Sequence, residues 1–83
     1  MDVAVLASEK TAELCARLQP GQNELYWTLD YKQYSLSEET IASIIRDTYY
    51  EEMTFYEHDV TEITCDISVN DFEMCIFYYA TVE

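Results

Sequence analysis

The sequence predicts an α+β fold in which two helices cover one face of a three-stranded antiparallel sheet, in the order α-β-α-β-β. Apolar residues recur at helical spacing in two segments and alternate with polar residues in three others. The 83 residues include one Gly and one Pro, and 49% of them are apolar. This composition supplies a packed core, whereas acidic disordered chains lack one. The length predicts a single domain, residues 1–83.

The first helix is expected over residues 2–19. Asp2 is a suitable N-cap, because its side chain can accept a hydrogen bond from the first helical turn. One stripe at a period of 3.6 residues contains Val3, Ala7, Thr11, Leu14, Cys15 and Leu18. The Pro-Gly pair that follows is expected to end the helix. Ser8 is an alternative cap, which would leave a short strand before it.

The next element is expected to be a half-buried strand over residues 24–32, because apolar and polar side chains alternate along it. The apolar side carries Leu25, Trp27, Leu29 and Tyr31. The polar side carries Glu24, Tyr26, Thr28, Asp30 and Lys32. Such alternation is typical of a strand with one face on the core and the other in solvent.

A second helix is expected to start at Ser35 or Ser37. Ser35 and Glu38 have the spacing of a capping box, in which each side chain bonds the other's backbone N–H. The apolar stripe that follows contains Ile41, Ile44, Ile45 and Thr48. Glu52 would fall within that stripe, so the helix is expected to fray near residues 50–52.

The C-terminal third predicts a β-hairpin of two alternating segments, residues 61–69 and 72–80. Asn70 and Asp71 between them suit a two-residue turn, because both residue types tolerate positive φ. This register pairs Val69 with Phe72, Ile67 with Met74, Cys65 with Ile76 and Ile63 with Tyr78. Every pair on that face is apolar, so the turn and the pattern agree on one register.

Charge is the most unusual property of the chain. Seventeen Asp and Glu against four Lys and Arg give a formal net charge of −13. Residues 34–83 hold twelve of these acids and a single base, Arg46, a net of −11. Direct binding to DNA, RNA or an anionic membrane is not expected, because such binding uses Lys and Arg. Self-repulsion costs stability, so the charge indicates a role outside folding.

The segment 47–66 concentrates the acids and contains no Lys or Arg. Its acidic residues are Asp47, Glu51, Glu52, Glu57, Asp59, Glu62 and Asp66. Tyr49, Tyr50 and Tyr56 are interleaved with them. This combination predicts a surface that imitates nucleic-acid phosphates and docks in a basic groove, with Tyr supplying contact area. A solvated acidic surface without a partner is the alternative.

The outer face of the predicted sheet is a second candidate surface, because it is only half polar. Its side chains include Tyr26, Thr28, Thr64, Phe77 and Tyr79. Such a face is a candidate for dimerisation or for binding a subunit, and scattered apolar residues on a surface are the alternative.

Catalysis, metal ions and cofactors are not expected. His58 is the only His and lies among carboxylates, which raise its pKa instead of preparing it as a catalytic base. A calcium loop starting at Asp66 fails at its sixth and twelfth positions, where Asp71 and Phe77 stand instead of Gly and Glu. A single Gly also rules out a Gly-rich phosphate loop.

The three cysteines indicate a reduced, cytoplasmic protein. They form no C-x-x-C pair, and the predicted hairpin places Cys65 and Cys75 on opposite faces of the sheet. Cys15 and Cys65 are expected in the core, and Cys75 is expected to be more exposed. Neither a signal peptide nor an apolar span of about 20 residues is recognisable.

In its 83 residues, its charge of −13 and its acid-and-tyrosine segment, the chain resembles the small acidic inhibitors encoded by phages and mobile elements. That class includes DNA-mimic anti-restriction proteins and acidic anti-CRISPR proteins. It shares no motif with this chain, so no site residue is transferred.

The resemblance implies a non-catalytic inhibitor in the host-cell cytoplasm, with an anti-CRISPR role favoured over an anti-restriction role. The implied partner is a basic nucleic-acid-binding protein, either a CRISPR effector or a restriction or nuclease component. Two alternatives remain open: an immunity protein or antitoxin for a basic nuclease, and an assembly module that dimerises through the outer sheet face.

Overall fold

The computed structural model describes residues 2–56 and 59–83 and has the predicted order of elements. The helices and strands are α1 (Val3–Cys15), β1 (Gly21–Leu29), α2 (Glu38–Tyr56), β2 (Val60–Val69) and β3 (Met74–Val82). The strands form one antiparallel sheet in the order β1-β3-β2. Both helices pack on the same face, which we call the inner face; the opposite face is the outer face. The predicted α+β fold is confirmed.

Helix α1 begins at the predicted cap. The carboxylate of Asp2 accepts a hydrogen bond from the backbone N–H of Ala4 at 2.8 Å, so a start at Ser8 is excluded. Four residues of the predicted stripe are fully buried: Val3, Ala7, Thr11 and Leu14. The stripe follows the sequence pattern because these positions recur on one side of the helix.

The turn after α1 corrects the predicted end of the helix, since α1 stops at Cys15 and not at residue 19. The side chain of Asn23 closes this turn: it accepts a hydrogen bond from the Gln19 N–H at 2.9 Å and donates to the Gln19 carbonyl at 2.8 Å. Gly21 has a φ of 98°, which an L side chain rarely adopts. The helix therefore ends before the Pro-Gly pair, the turn closed by Asn23 spans that pair, and β1 starts at Gly21, three residues early.

Strand β1 ends at Leu29, before the predicted end at residue 32. Asp30 begins a short 3₁₀ helix, Tyr31–Gln33, by accepting a hydrogen bond from the backbone N–H of Lys32 at 3.3 Å. Leu25, Trp27 and Leu29 are buried, as the alternation predicts.

Helix α2 is capped by Ser37, the second of the two predicted candidates. Its hydroxyl accepts a hydrogen bond from the backbone N–H of Thr40 at 3.1 Å, so the capping box at Ser35 does not form. The fully buried stripe of α2 contains Ile41, Ile45, Tyr49 and Met53. The predicted stripe residues Ile44 and Thr48 are half-buried beside it.

The predicted fraying near residues 50–52 is wrong, because α2 continues to Tyr56. Glu52 lies against α1, where its carboxylate accepts a hydrogen bond from the hydroxyl of Ser8 at 2.8 Å. Met53 beyond it is fully buried and anchors the last turns.

Within the described parts of the chain, no helix is both long and apolar enough to cross a membrane.

The hairpin of β2 and β3 forms, but its predicted register is wrong by two residues. Val69 opposes Met74 and not Phe72, because the loop has four residues instead of two. The side-chain oxygen of Asn70 holds this loop by accepting hydrogen bonds from the N–H groups of Phe72 and Glu73, each at 2.8 Å. The pairs that follow are Ile67 with Ile76, Cys65 with Tyr78 and Ile63 with Ala80. An even shift leaves every side chain on its predicted face.

The core is centred on Tyr78, on the inner face of β3. Its ring stacks on the ring of Tyr49 with centroids 4.0 Å apart and meets Trp27 edge-on at 5.9 Å. The hydroxyl of Tyr78 donates to the carbonyl of Ala7 at 3.3 Å, and that of Tyr49 donates to the carbonyl of Tyr79 at 2.6 Å. This buried cluster joins both helices to the sheet and fixes which face remains open.

Candidate functional site

The acids of segment 47–66 do not form one continuous surface. Asp47 and Glu51 are exposed on α2, away from its buried stripe. Glu62 and Asp66 are exposed on the outer face of β2. Because α2 packs on the inner face, the two pairs lie on opposite sides of the domain.

Three other predicted contact residues serve the structure itself. Tyr49 is fully buried with its hydroxyl hydrogen-bonded, so the prediction that it contacts a partner is wrong. Tyr50 is half-buried, and its hydroxyl accepts a hydrogen bond from the backbone N–H of Cys65 at 3.2 Å. Glu52 is half-buried in its contact with α1.

The remaining predicted contact residues are Tyr56, Glu57 and Asp59, at the end of α2 and before β2 in the sequence. Asp59 is exposed, and its backbone carbonyl accepts a hydrogen bond from the N–H of Glu83 at 3.2 Å. Glu57, the neighbouring His58 and the side chain of Tyr56 lie outside the described residues. Of the predicted acids, the structure therefore brings Glu62 and Asp66 together on one sheet face.

An aromatic cluster occupies the centre of the outer face and consists of Tyr26, Phe77 and Tyr79. The register places Tyr26 of β1 directly opposite Phe77 of β3, and their ring centroids are 4.7 Å apart. The rings of Phe77 and Tyr79 are parallel, with centroids 6.3 Å apart. Tyr26 is 54% exposed, and the other two side chains are half-buried. The cluster therefore presents ring surface to solvent.

An acidic rim flanks this cluster on both edge strands and consists of Glu24, Glu62 and Asp66. Glu24 of β1 lies opposite Tyr79, and Asp66 of β2 lies opposite Phe77. All four basic residues of the described chain belong to other elements, at Lys10, Arg17, Lys32 and Arg46. The outer face is therefore negative without a compensating cation of its own.

The tyrosine at the edge of the cluster stays neutral. A hydrogen bond with the side chain of Cys75 raises the pKa of Tyr26, and burial and the negative charge of Glu73 act in the same direction. The ring therefore contributes contact area and a hydroxyl group, while the charge of the face comes from its carboxylates.

A shallow depression of about 530 Å³ lies at one end of the outer face. Glu24 lines it from β1, Glu62 lines it from β2, and Tyr79 lies on the strand between them. Asn23 also lines it, but its amide is hydrogen-bonded to the carbonyls of Gln19 and Ala80. The groups that remain for a ligand are the two carboxylates, the ring of Tyr79 and the polar side chains of Gln22, Thr64 and Thr81.

Sequence reasoning found the aromatic residues of this face but missed the role of Glu24. Its position at the rim depends on the strand order, which places β3 between β1 and β2. The alternation of β1 already predicts that Glu24 faces away from the core, and this pattern is the sequence signal for its position on the outer face.

Two properties meet on the outer face: exposed aromatic area and uncompensated negative charge. Both suit noncovalent contact with a cationic protein surface. Among the described residues, no group of three or more His, Cys, Asp or Glu side chains is placed to hold a metal ion. Comparisons with protein-family models, with curated proteins and with solved structures found no match to this chain.

Proposed function

We propose that this protein is a non-catalytic inhibitor that docks the outer face of its sheet onto the basic nucleic-acid-binding surface of a host defence complex. The observation that carries the proposal is the aromatic cluster flanked by an acidic rim, with no Lys or Arg on the three described strands that form this face. The aromatic rings supply area that can be desolvated, and the carboxylates supply attraction and orientation.

The class of defence complex follows from the resemblance to small acidic inhibitors of phages and mobile elements. Within that class we favour an anti-CRISPR role, exercised in the host cytoplasm on a CRISPR effector. The inhibitor occupies the groove that otherwise holds nucleic acid, so its carboxylates stand in for phosphates.

The net charge of −13 gives this docking a clear dependence on salt. Long-range attraction to a basic groove speeds association, and salt screens that attraction over a Debye length of about 8 Å at physiological ionic strength. The association rate should therefore fall with added salt more steeply than the dissociation rate rises.

A homodimer through the same face is the second candidate, favoured by the exposure of the aromatic cluster. In a twofold dimer each outer face meets its own copy, so the acidic rims of two chains would be brought together without cations. Like charges placed opposite each other in an interface cost several kcal/mol. A basic partner satisfies the rim where a second copy does not, so we favour the basic partner.

Competition tests the proposed function. The protein is bound to a purified CRISPR effector charged with guide RNA, and target DNA is then added in increasing amounts. We expect the amount of bound protein to decrease as the fraction of effector occupied by target DNA increases. Stable co-binding of protein and DNA would contradict nucleic-acid mimicry, and capture of a nuclease toxin from host lysate would favour the antitoxin function.

Two double variants locate the docking surface. Glu62→Lys with Asp66→Lys reverses charge on the outer face, and Asp47→Lys with Glu51→Lys makes the same change in charge on α2. We expect the first to weaken binding by about 100-fold or more, since close charge pairs in an interface contribute on the order of 1.5–7 kcal/mol. The α2 double variant should weaken binding only a few-fold, because it changes the net charge of the protein but not the docking face. Equal losses would contradict docking through the outer face.

A further inference from the structure

We infer that the depression beside Tyr79 is a socket for an arginine side chain of the partner. The inference rests on the proposed function and specifies the partner's chemistry. It concerns one place on the outer face, where Glu24 and Glu62 line the same depression as Tyr79.

The sheet geometry gives the socket its width. Glu24 and Glu62 lie on the strands either side of β3, so they are about 10 Å apart across the sheet at the usual strand spacing. Glu24 lies opposite Tyr79, whereas Glu62 lies opposite Thr81, one same-face position further along. Glu24 is therefore the β1 neighbour of Tyr79, whereas on β2 its direct neighbour is Thr64 and Glu62 lies diagonally beyond.

The carboxylates of the socket are available to a ligand. Within residues 2–56 and 59–83, the side chains of Glu24 and Glu62 make no hydrogen bond or ion pair. The volume of about 530 Å³ lies in the range of small-ligand pockets, so a long side chain fits with some water. The site is thus open, negative and lined by an aromatic ring.

Arginine matches this combination better than lysine. Its guanidinium is planar, stacks on aromatic rings and offers five N–H donors in a fixed arrangement that suits carboxylates. A lysine ammonium is a compact, strongly hydrated charge that gains less from a ring face. A calcium ion needs six to eight oxygen ligands, more than two separated carboxylates supply.

NMR titration of the full-length protein tests the socket directly. The probes are N-acetyl-arginine amide and N-acetyl-lysine amide, compared at equal ionic strength. We expect saturable amide shifts around Glu24, Glu62 and Tyr79 with the arginine probe. The lysine probe should bind about two- to fivefold more weakly, the range that an exposed cation–π contact supplies.

Matched variants separate the socket from general charge attraction. Glu24→Gln with Glu62→Gln should abolish the localised shifts, and Tyr79→Leu should remove the preference for arginine. Asp47→Asn with Glu51→Gln removes the same charge from α2 and should leave the shifts unchanged. Equal binding of both probes, or equal loss in both double variants, would overturn the inference.

The socket and the proposed function can fail separately. If target DNA still displaces the protein from its partner while the arginine probe shows no localised shifts, the socket is wrong and the docking face stands. If the probe binds as expected but target DNA and the protein bind together, the socket stands and nucleic-acid mimicry is wrong.

Discussion

The two faces of strand β3 both carry aromatic residues, yet they use them differently. On the inner face, Tyr78 is fully buried between Tyr49 and Trp27. On the outer face, Phe77 contacts Tyr26, which is 54% exposed. The same alternation of ring-bearing residues thus serves the core on one side and an open surface on the other. The helices that cover one face, and not a difference in aromatic content, separate the buried cluster from the exposed one.

Hydrogen bonding sharpens this difference. The inner hydroxyl groups of Tyr49 and Tyr78 are committed to backbone carbonyls at 2.6 and 3.3 Å, so the inner cluster has one arrangement. On the outer face, Tyr26 is linked to the side chain of Cys75, while neighbouring carboxylates have no partner in the described chain. The hydroxyl groups of the inner cluster are therefore satisfied within the fold, whereas the outer face carries carboxylates with no partner among the described residues.

Truncation of one ring on each face should give the largest contrast. We expect Tyr78→Ala to lower the free energy of unfolding by about 3–5 kcal/mol, the usual loss when a large buried aromatic residue is removed. Phe77→Ala should cost about 1 kcal/mol, because its ring is half-buried. Urea denaturation at neutral pH measures both values, and similar losses would show that the outer cluster belongs to the core.

At pH 8, alkylation of Cys65 on the inner face should be about 100-fold slower in the folded chain than in urea, because the thiolate is the reacting species. Burial raises the pKa of Cys65 on the inner face to about 11, with Asp66 adding to the effect and Arg46 opposing it. Cys75 on the outer face is half-buried. Pulsed iodoacetamide labelling with peptide mapping measures the rates in the folded chain and in urea. Faster reaction at Cys65 than at Cys75 in the folded chain would contradict the assignment of faces.

High pH should produce the smallest effect. Burial raises the pKa values of Tyr49 and Tyr78 far above 10, so the folded chain keeps protons that the unfolded chain loses. The contribution of these two tyrosines to the free energy of unfolding is therefore fully present below pH 10 and falls above it. At pH 10.5 the loss should be less than about 1 kcal/mol for each tyrosine, given an unfolded pKa of about 10. Urea denaturation at pH 8 and 10.5 measures it.

Matched Tyr→Phe variants provide the control for this pH dependence. Tyr78→Phe should flatten the decline above pH 10, because the buried titrating group is gone. Tyr49→Phe, which removes the other buried hydroxyl, should also flatten the decline. An unchanged decline in both variants would contradict the assignment of this pH dependence to the buried tyrosines.

The sequence predicted the fold because its strands and helices carry regular patterns. Alternation in β1 and β3 and the stripe of α1 assigned side chains to the correct faces. The prediction errors occur where a hydrogen bond made by a single side chain determines the local structure. The amide of Asn70 sets a longer loop than a two-residue turn, and the hydroxyl of Ser8 keeps Glu52 at the helix interface.

The candidate site was harder to predict, because it depends on which strands are neighbours. The acid-rich segment 47–66 is continuous in sequence, but α2 and β2 carry its acids to opposite sides of the domain. Glu24 lies far from Glu62 along the chain and joins it only through the central position of β3. Local spacing therefore identified the acidic residues but did not show which of them share a face.

The strand order also has a consequence for self-association. β3 contains no charged residue, Gly or Pro, and such apolar strand segments are prone to form fibrils when their edges are free. The fold covers both edges of β3 with strands that carry carboxylates, Glu24 on one side and Glu62 and Asp66 on the other. Sheets of two copies that approach edge to edge therefore meet like charges first, a common protection against aggregation. The strand order thus encloses β3, and the carboxylates of its neighbours oppose edge-to-edge growth of the sheet.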